Sequence, residues 1–205
     1  MKKFELTTET KINIFGKKLF RIKALISFGF IHAGEEGGWV EKEENLSQSG
    51  NAWVYDNAEV YGNANVSGNA EVYGNANVSG NANVSGNANV YGNAWVSGNA
   101  NVYGNAWVSG NANVSGSVRV YGDAEVFGNA EVFGDADYTT IHGFGTRFRT
   151  TTFFRCKDRE IRVSCGCFFG TISEFKEQVK RTRDGKVAEE YLMIADLMEK
   201  HFKEE

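Results

Sequence analysis

The sequence predicts a mainly β protein: a parallel β-helix of about five 18-residue coils, flanked by an N-terminal β cap and a small C-terminal α+β (ββαα) module. Three observations carry this expectation. Valine falls at residue 54 and at every sixth residue to 132, fourteen times without a miss. Alanine stands two residues before each of these valines except at position 118, where Val118 takes its place before Val120. The texture then changes at both ends, to charged alternating segments before residue 50 and to a mixed segment after residue 139.

The repeated word is A-x-V-[Y/S/F]-[G/D]-[N/D/S]. Alternation sends Ala and Val to one face of a short strand, and x and the Tyr, Ser or Phe to the other. The Gly-Asn pair turns the chain, because these residues best tolerate positive φ. A helix is excluded, since a period of six drifts against 3.6 and each glycine would cost it about 1 kcal/mol. Three words close a triangular coil, and coils stacked at about 4.8 Å give a prism roughly 20–25 Å long. Only small side chains fit so narrow a bore. Ser117-Val118 disturbs the pattern once, placing a larger Val where Ala is expected. After Val132 the word decays, with Tyr138 in place of Val and His142 in place of Ala, so the prism is expected to end near Thr139. These words resemble the bacterial transferase hexapeptide repeat, which implies a left-handed parallel β-helix. The hand rests on the resemblance, because the general rule for parallel crossovers favours the right.

Stacking residue n on n+18 sorts the outward side chains onto three faces. The first carries Trp53, Tyr55, Tyr73, Tyr91, Trp107 and Phe127, an aromatic ladder, whereas the third begins as a flat Asn/Ser surface. A contiguous row of exposed aromatics implies a cover, either a terminal segment or a second subunit. A homo-oligomer, dimer or trimer, is therefore expected, and a platform for stacking on sugars or bases is the alternative.

Residues 1–49 read as a β-hairpin cap, with Lys11–Phe15 and Lys18–Leu25 alternating around a glycine turn. Such a cap blocks runaway stacking on the open first coil. The lead-in GGWVEKEENLSQSGNAWVY is similar to that of uncharacterised bacterial and prophage hexapeptide-repeat proteins labelled as transferases. Residues 50–139 form the prism and 140–205 the C-terminal module. In the module, Thr150–Arg155 and Ile161–Cys167 read as paired strands, and Thr171-Ile-Ser-Glu174 as a capping box opening a helix to about Arg183. A second helix, Val187 to about Lys203, carries a stripe of Val187, Tyr191, Ile194, Met198 and Phe202, with Leu192, Met193 and Leu197 apolar on other sides. A helix apolar on more than one side needs more than one partner, which places Tyr191, Leu192 and Leu197 at an interface.

The formal charge of −4 is concentrated in residues 50–137, which hold eight Asp/Glu and one Arg. No charge run suggests a nucleic-acid arm, and outward carboxylates this sparse do not copy phosphate spacing, so neither nucleic acid nor membrane is an expected partner. The longest apolar run, Ala24–Ile31, is too short to span a bilayer, the start lacks a signal-peptide core, and three cysteines suit reduced thiols. These features predict a cytoplasmic protein.

Chemistry is sparsely signalled. Hexapeptide-repeat acyltransferases, by the resemblance, use a histidine base at a subunit boundary. Here no His lies within the repeats, and of His32, His142 and His201 only His142, just past the last coil, is placed to serve. Cys156, Cys165 and Cys167 with His142 make a formal Cys3His set for zinc, although Cys-x-Cys in a strand lacks the turn of a zinc knuckle, so small core residues are the favoured reading. Arg147, Arg149, Arg155 and Arg159 beside Phe153 form a basic, aromatic cluster suited to an anion or nucleotide, or simply the solvated face of a hairpin. No cofactor is expected. The leading expectation is a non-enzymatic binding or scaffold protein, its prism a rigid shaft presenting the C-terminal module. A phage or prophage factor that binds and inhibits a host protein would fit this form. An acyltransferase and a small-molecule or nucleotide binder are the alternatives.

Overall fold

A computed structural model describes residues 1–203. The chain opens with strands β1 (Phe4–Ile12), β2 (Lys18–Ala24) and β3 (Glu36–Val40). Fourteen two-residue strands follow at six-residue spacing, from β4 (Trp53–Val54) to β17 (Glu131–Val132). Each pairs in parallel with the strand 18 residues away, as in Asn89↔Trp107 and Val90↔Val108. The result is a parallel β-helix of about five coils in the register read from the word. Ala and Val fill its bore: Val96, Ala100 and Val102 have no exposed surface.

Two further periodicities hold the coils. Backbone N–H groups donate to the next coil, for example Asn83 N to Ala100 O at 2.9 Å and Asn87 N to Gly104 O at 2.7 Å. Corner asparagines form ladders in which Nδ2 donates to the Oδ1 one coil on. Asn69 reaches Asn87 at 3.0 Å, and Asn87 reaches Asn105 at 3.0 Å. An amide carries a donor and an acceptor on one short, planar, uncharged group, so an Asn here can accept from one coil and donate to the next. Val118 does not interrupt the coil, since Asn101 N still donates to its carbonyl at 2.9 Å. It sits where the third face ends, with Arg119–Val120 the last strand of that sheet and the ring of Tyr138 in the same core.

The two ends are sealed by opposite chemistry, because the ladder is polar. Unused carbonyls point to the N-terminal end and unused N–H groups to the C-terminal end. The N-terminal cap supplies donors: Lys3 Nζ to Ala52 O at 2.9 Å, and Asn45 Nδ2 to Ala64 O at 2.7 Å. The C-terminal side supplies acceptors: Asp135 Oδ1 takes Arg119 N–H, and Thr152 Oγ1 takes Glu125 N–H, both at 3.0 Å. The cap also joins the prism directly. Trp39 and Val40 pair in parallel with Glu59 and Val60, and Leu46 bridges to Val66, so both already occupy rungs ahead of residue 50.

The C-terminal module holds more strands than the two expected. Its antiparallel sheet runs β18 (Tyr138–Phe144), β19 (Arg149–Arg155), β20 (Ile161–Cys165) and β21 (Phe168–Thr171) in that order. Helix α1 (Ile172–Thr182) opens on the expected capping box: Thr171 Oγ1 accepts from Glu174 N at 3.2 Å, and Glu174 Oε2 accepts from Thr171 N at 2.7 Å. The bonds donated to this carboxyl by Thr171 N and, at 3.0 Å, by Thr171 Oγ1 hold Glu174 below its ordinary pKa. Helix α2 (Gly185–His201) lays Tyr191, Ile194, Ala195 and Met198 against Phe153, Val163, Phe175 and Val179. No described helix is long and apolar enough to cross a membrane.

Candidate functional site

The prism places the first-face aromatics in one row, and their surroundings differ along it. Trp53 is fully buried under the N-terminal segment, with Phe4 and Phe28 at ring separations of 6.2 and 5.4 Å. Tyr55 donates to Glu71 at 3.1 Å. Tyr73 and Tyr91 stack in parallel at 4.9 Å, and Trp107 meets Tyr91 edge-on at 5.9 Å. At the far end Phe127 lies under Phe169 at 4.3 Å. Both ends of the ladder are thus covered by this chain's own cap and module, while Trp107 in the middle remains 46% exposed. On the second face, Phe15 from the tip of the cap hairpin covers Tyr61 and Trp95 at 6.1 and 5.5 Å.

On helix α2, Tyr191 points into the module core against Phe175 at 5.7 Å, Leu192 is half-buried, and Leu197 is exposed. Burial pushes the Tyr191 hydroxyl above its ordinary pKa, so it remains a neutral donor, reaching Phe144 O at 3.4 Å.

The basic cluster divides. Phe153 is fully buried in the module core and presents no ring to solvent. Arg155 pairs with Asp137 at 3.4 Å and donates to Phe202 O at 3.3 Å, tying the module to the end of the prism. Arg159 sits in the exposed turn before β20 with φ 66°. Arg147 and Arg149 instead line a hollow of about 440 Å³ with Thr146, Cys165, Cys167, Arg183 and Tyr191. Arg183, the residue that ends α1, was not part of the sequence cluster; its position as a helix C-terminal cation was the available signal.

The thiols and His142 do not converge. Among the described residues no group of three His, Cys, Asp or Glu side chains could hold a metal ion, so the Cys3His set is not assembled. Cys156 is buried at the prism–module junction, where burial pushes its thiol up to about 11. Cys165 accepts from Thr151 Oγ1 at 3.2 Å, and Cys167 is exposed. His142 is exposed on β18 with Nδ1 3.1 Å from Thr150 Oγ1 across the sheet. No described carboxylate bonds to its ring.

No family model matches the chain. The chain is similar to "Uncharacterized acetyltransferase YdcK" of Escherichia coli (strain K12), at 36% identity over 66 residues that take in 27% of this chain and 19% of that protein. The chain therefore spans about a fifth of the length of the curated relative it matches. A parallel β-helix of six-residue words and this stretch of similarity together fit a hexapeptide-repeat superfamily.

Proposed function

We propose that this is a non-enzymatic binding protein in which the β-helix is a rigid shaft and oligomerisation surface for the C-terminal module. The observation that carries the reading is the uninterrupted prism. Fourteen words follow one another with no inserted loop, and all three histidines of the chain, His32, His142 and His201, lie outside them. A coil without a histidine or an inserted loop supports a reading as stiffness and surface rather than chemistry. Assembly draws on apolar groups left open: Trp107 at mid-prism and Met193 and Leu197 on α2, respectively 46%, 70% and 57% exposed. Sedimentation velocity tests this. The wild type should run as a homo-oligomer whose dissociation follows Trp107→Glu or Leu197→Glu, and a well-folded wild-type monomer would contradict the reading.

The partial similarity to a protein named as an acetyltransferase supports a second reading, in which His142 serves as base at a subunit boundary. That reading predicts acetyl-CoA binding and acyl transfer abolished by His142→Ala. Absence of acetyl-CoA binding at millimolar concentration would sink it.

A further inference from the structure

Three guanidinium groups meet in the module where no carboxylate answers them. Arg149 projects from β19, Arg147 from the turn between β18 and β19, and Arg183 from the end of α1. All three border the same hollow, and an adjoining one of about 430 Å³ shares Arg149, Arg183, Cys165, Cys167 and Tyr191 and adds Phe168, Gln178 and Thr182. Neither lining includes an Asp or Glu. Among the described residues, Arg147 and Arg149 have no ion pair or side-chain hydrogen bond, and Arg183 spends one N–H on the adjacent Thr182 O at 2.9 Å. Elsewhere in the module the arginines are engaged: Arg162 with Asp158 at 2.5 Å and Arg155 with Asp137 at 3.4 Å.

The backbone makes room for this arrangement. A Cβ at Gly166 would stand 2.2 Å from Arg149 Nη1, so the bare turn between β20 and β21 lets the guanidinium lie across it. Like charges gathered in one concavity raise the local concentration of anions and repel one another until an anion arrives. Arginine forks match the oxygens of phosphate in paired bonds, and Tyr191, kept protonated by burial, adds a neutral hydroxyl. A hollow of about 430 Å³ lies within the range that holds a small organic ligand. Phe168 at its wall and the half-exposed Phe169 beside it offer apolar surface for the remainder of such a molecule.

We propose that this cleft binds the phosphate of a small phosphorylated molecule, with Arg147, Arg149 and Arg183 as the phosphate ligands and the Phe168–Phe169 rim receiving an apolar or ring portion. The site belongs to the module alone and does not depend on the shaft or its assembly. Isothermal titration of the full-length protein at low salt tests it with four probes: inorganic phosphate, inorganic pyrophosphate, adenosine monophosphate and adenosine. Pyrophosphate and the monophosphate should bind saturably, the monophosphate more tightly than inorganic phosphate, and both more weakly as salt rises. Adenosine should not compete. Arg149→Ala combined with Arg183→Ala should weaken binding about tenfold or more, since charge-assisted bonds are lost, at an unchanged melting temperature. Arg149→Lys, which keeps the charge without the fork, should recover only part of it, and Arg159→Ala, outside the cleft, none of the loss should follow. The proposal is overturned if adenosine binds as well as its monophosphate, if no phosphate probe saturates at millimolar concentration, or if the double variant binds like the wild type while remaining folded.

Discussion

Gly98→Ala tests the stacking of the coils at one atom. Gly98 turns a corner with φ 67°, and a Cβ there would lie 2.8 Å from Gly116 N and 2.9 Å from Gly116 O in the next coil. Gly122 ends the stack at another corner of the prism, with the same φ of 67°, but has no atom within 4 Å of its Cβ position, because no further coil covers it. Both substitutions carry the cost of placing an L-residue in the left-handed region, about 1–2 kcal/mol, partly offset by a stiffer unfolded chain. Only Gly98→Ala must also push one backbone away from another, and overpacking of that kind adds about 1–3 kcal/mol. The expected losses are thus about 1 kcal/mol for Gly122→Ala and about 2–4 kcal/mol for Gly98→Ala. Urea denaturation at constant slope measures both. Equal losses at the two sites would refute the reasoning, because both turn with φ 67° and only Gly98 has a coil stacked against its Cβ position.

Two further outcomes follow from the ends of the prism and the thiols. Burial lowers the Lys3 ammonium to about 8, so between pH 8 and 10 the unfolded chain binds a proton the folded chain has released, and stability should rise with pH there. Above pH 10 it should fall, since Tyr55 and Tyr138 are held protonated by burial while their unfolded counterparts ionise; Lys3→Met should lose the rise and keep the fall, as urea midpoints across this range would report. With a thiol reagent at pH 8, exposed Cys167 should react first and Cys156, buried with its thiol pushed up to about 11, last; early labelling of Cys156 in peptide mapping would contradict its place at the junction.

The prism was legible because one word fixes both faces of every strand, and a slip of one residue would bury its Tyr and Asn. The first coil was hidden for a geometric reason. Val40 and Leu46 stand 20 residues before their partners Val60 and Val66, two more than the repeat, and their segment lacks the alanine of the word. Strand β18 was hidden because Tyr138–Phe144 reads as a failing repeat, although its pairing is with β19, from Tyr138↔Phe154 onward. Strand β21 abuts the capping box of α1 and offers only four residues, Phe168–Thr171. At the candidate cleft, Arg147 and Arg149 were visible as a local cluster, whereas Arg183 joins them only because α1 folds back over the sheet. Arg155 and Phe153, equally conspicuous in the sequence, serve the junction and the core instead.

The repeat is a modular shaft between a cap and a module that each touch mainly their own end. Removing residues 81–98 deletes one full coil and leaves Gly80 joined to Asn99, in phase with the word. Spin labels at the exposed positions Glu9 and Glu189 then report the separation of the two ends. A modular shaft stays folded, and its label distance shortens by about 5 Å, one coil spacing. Loss of the fold, or an unchanged distance, would contradict it.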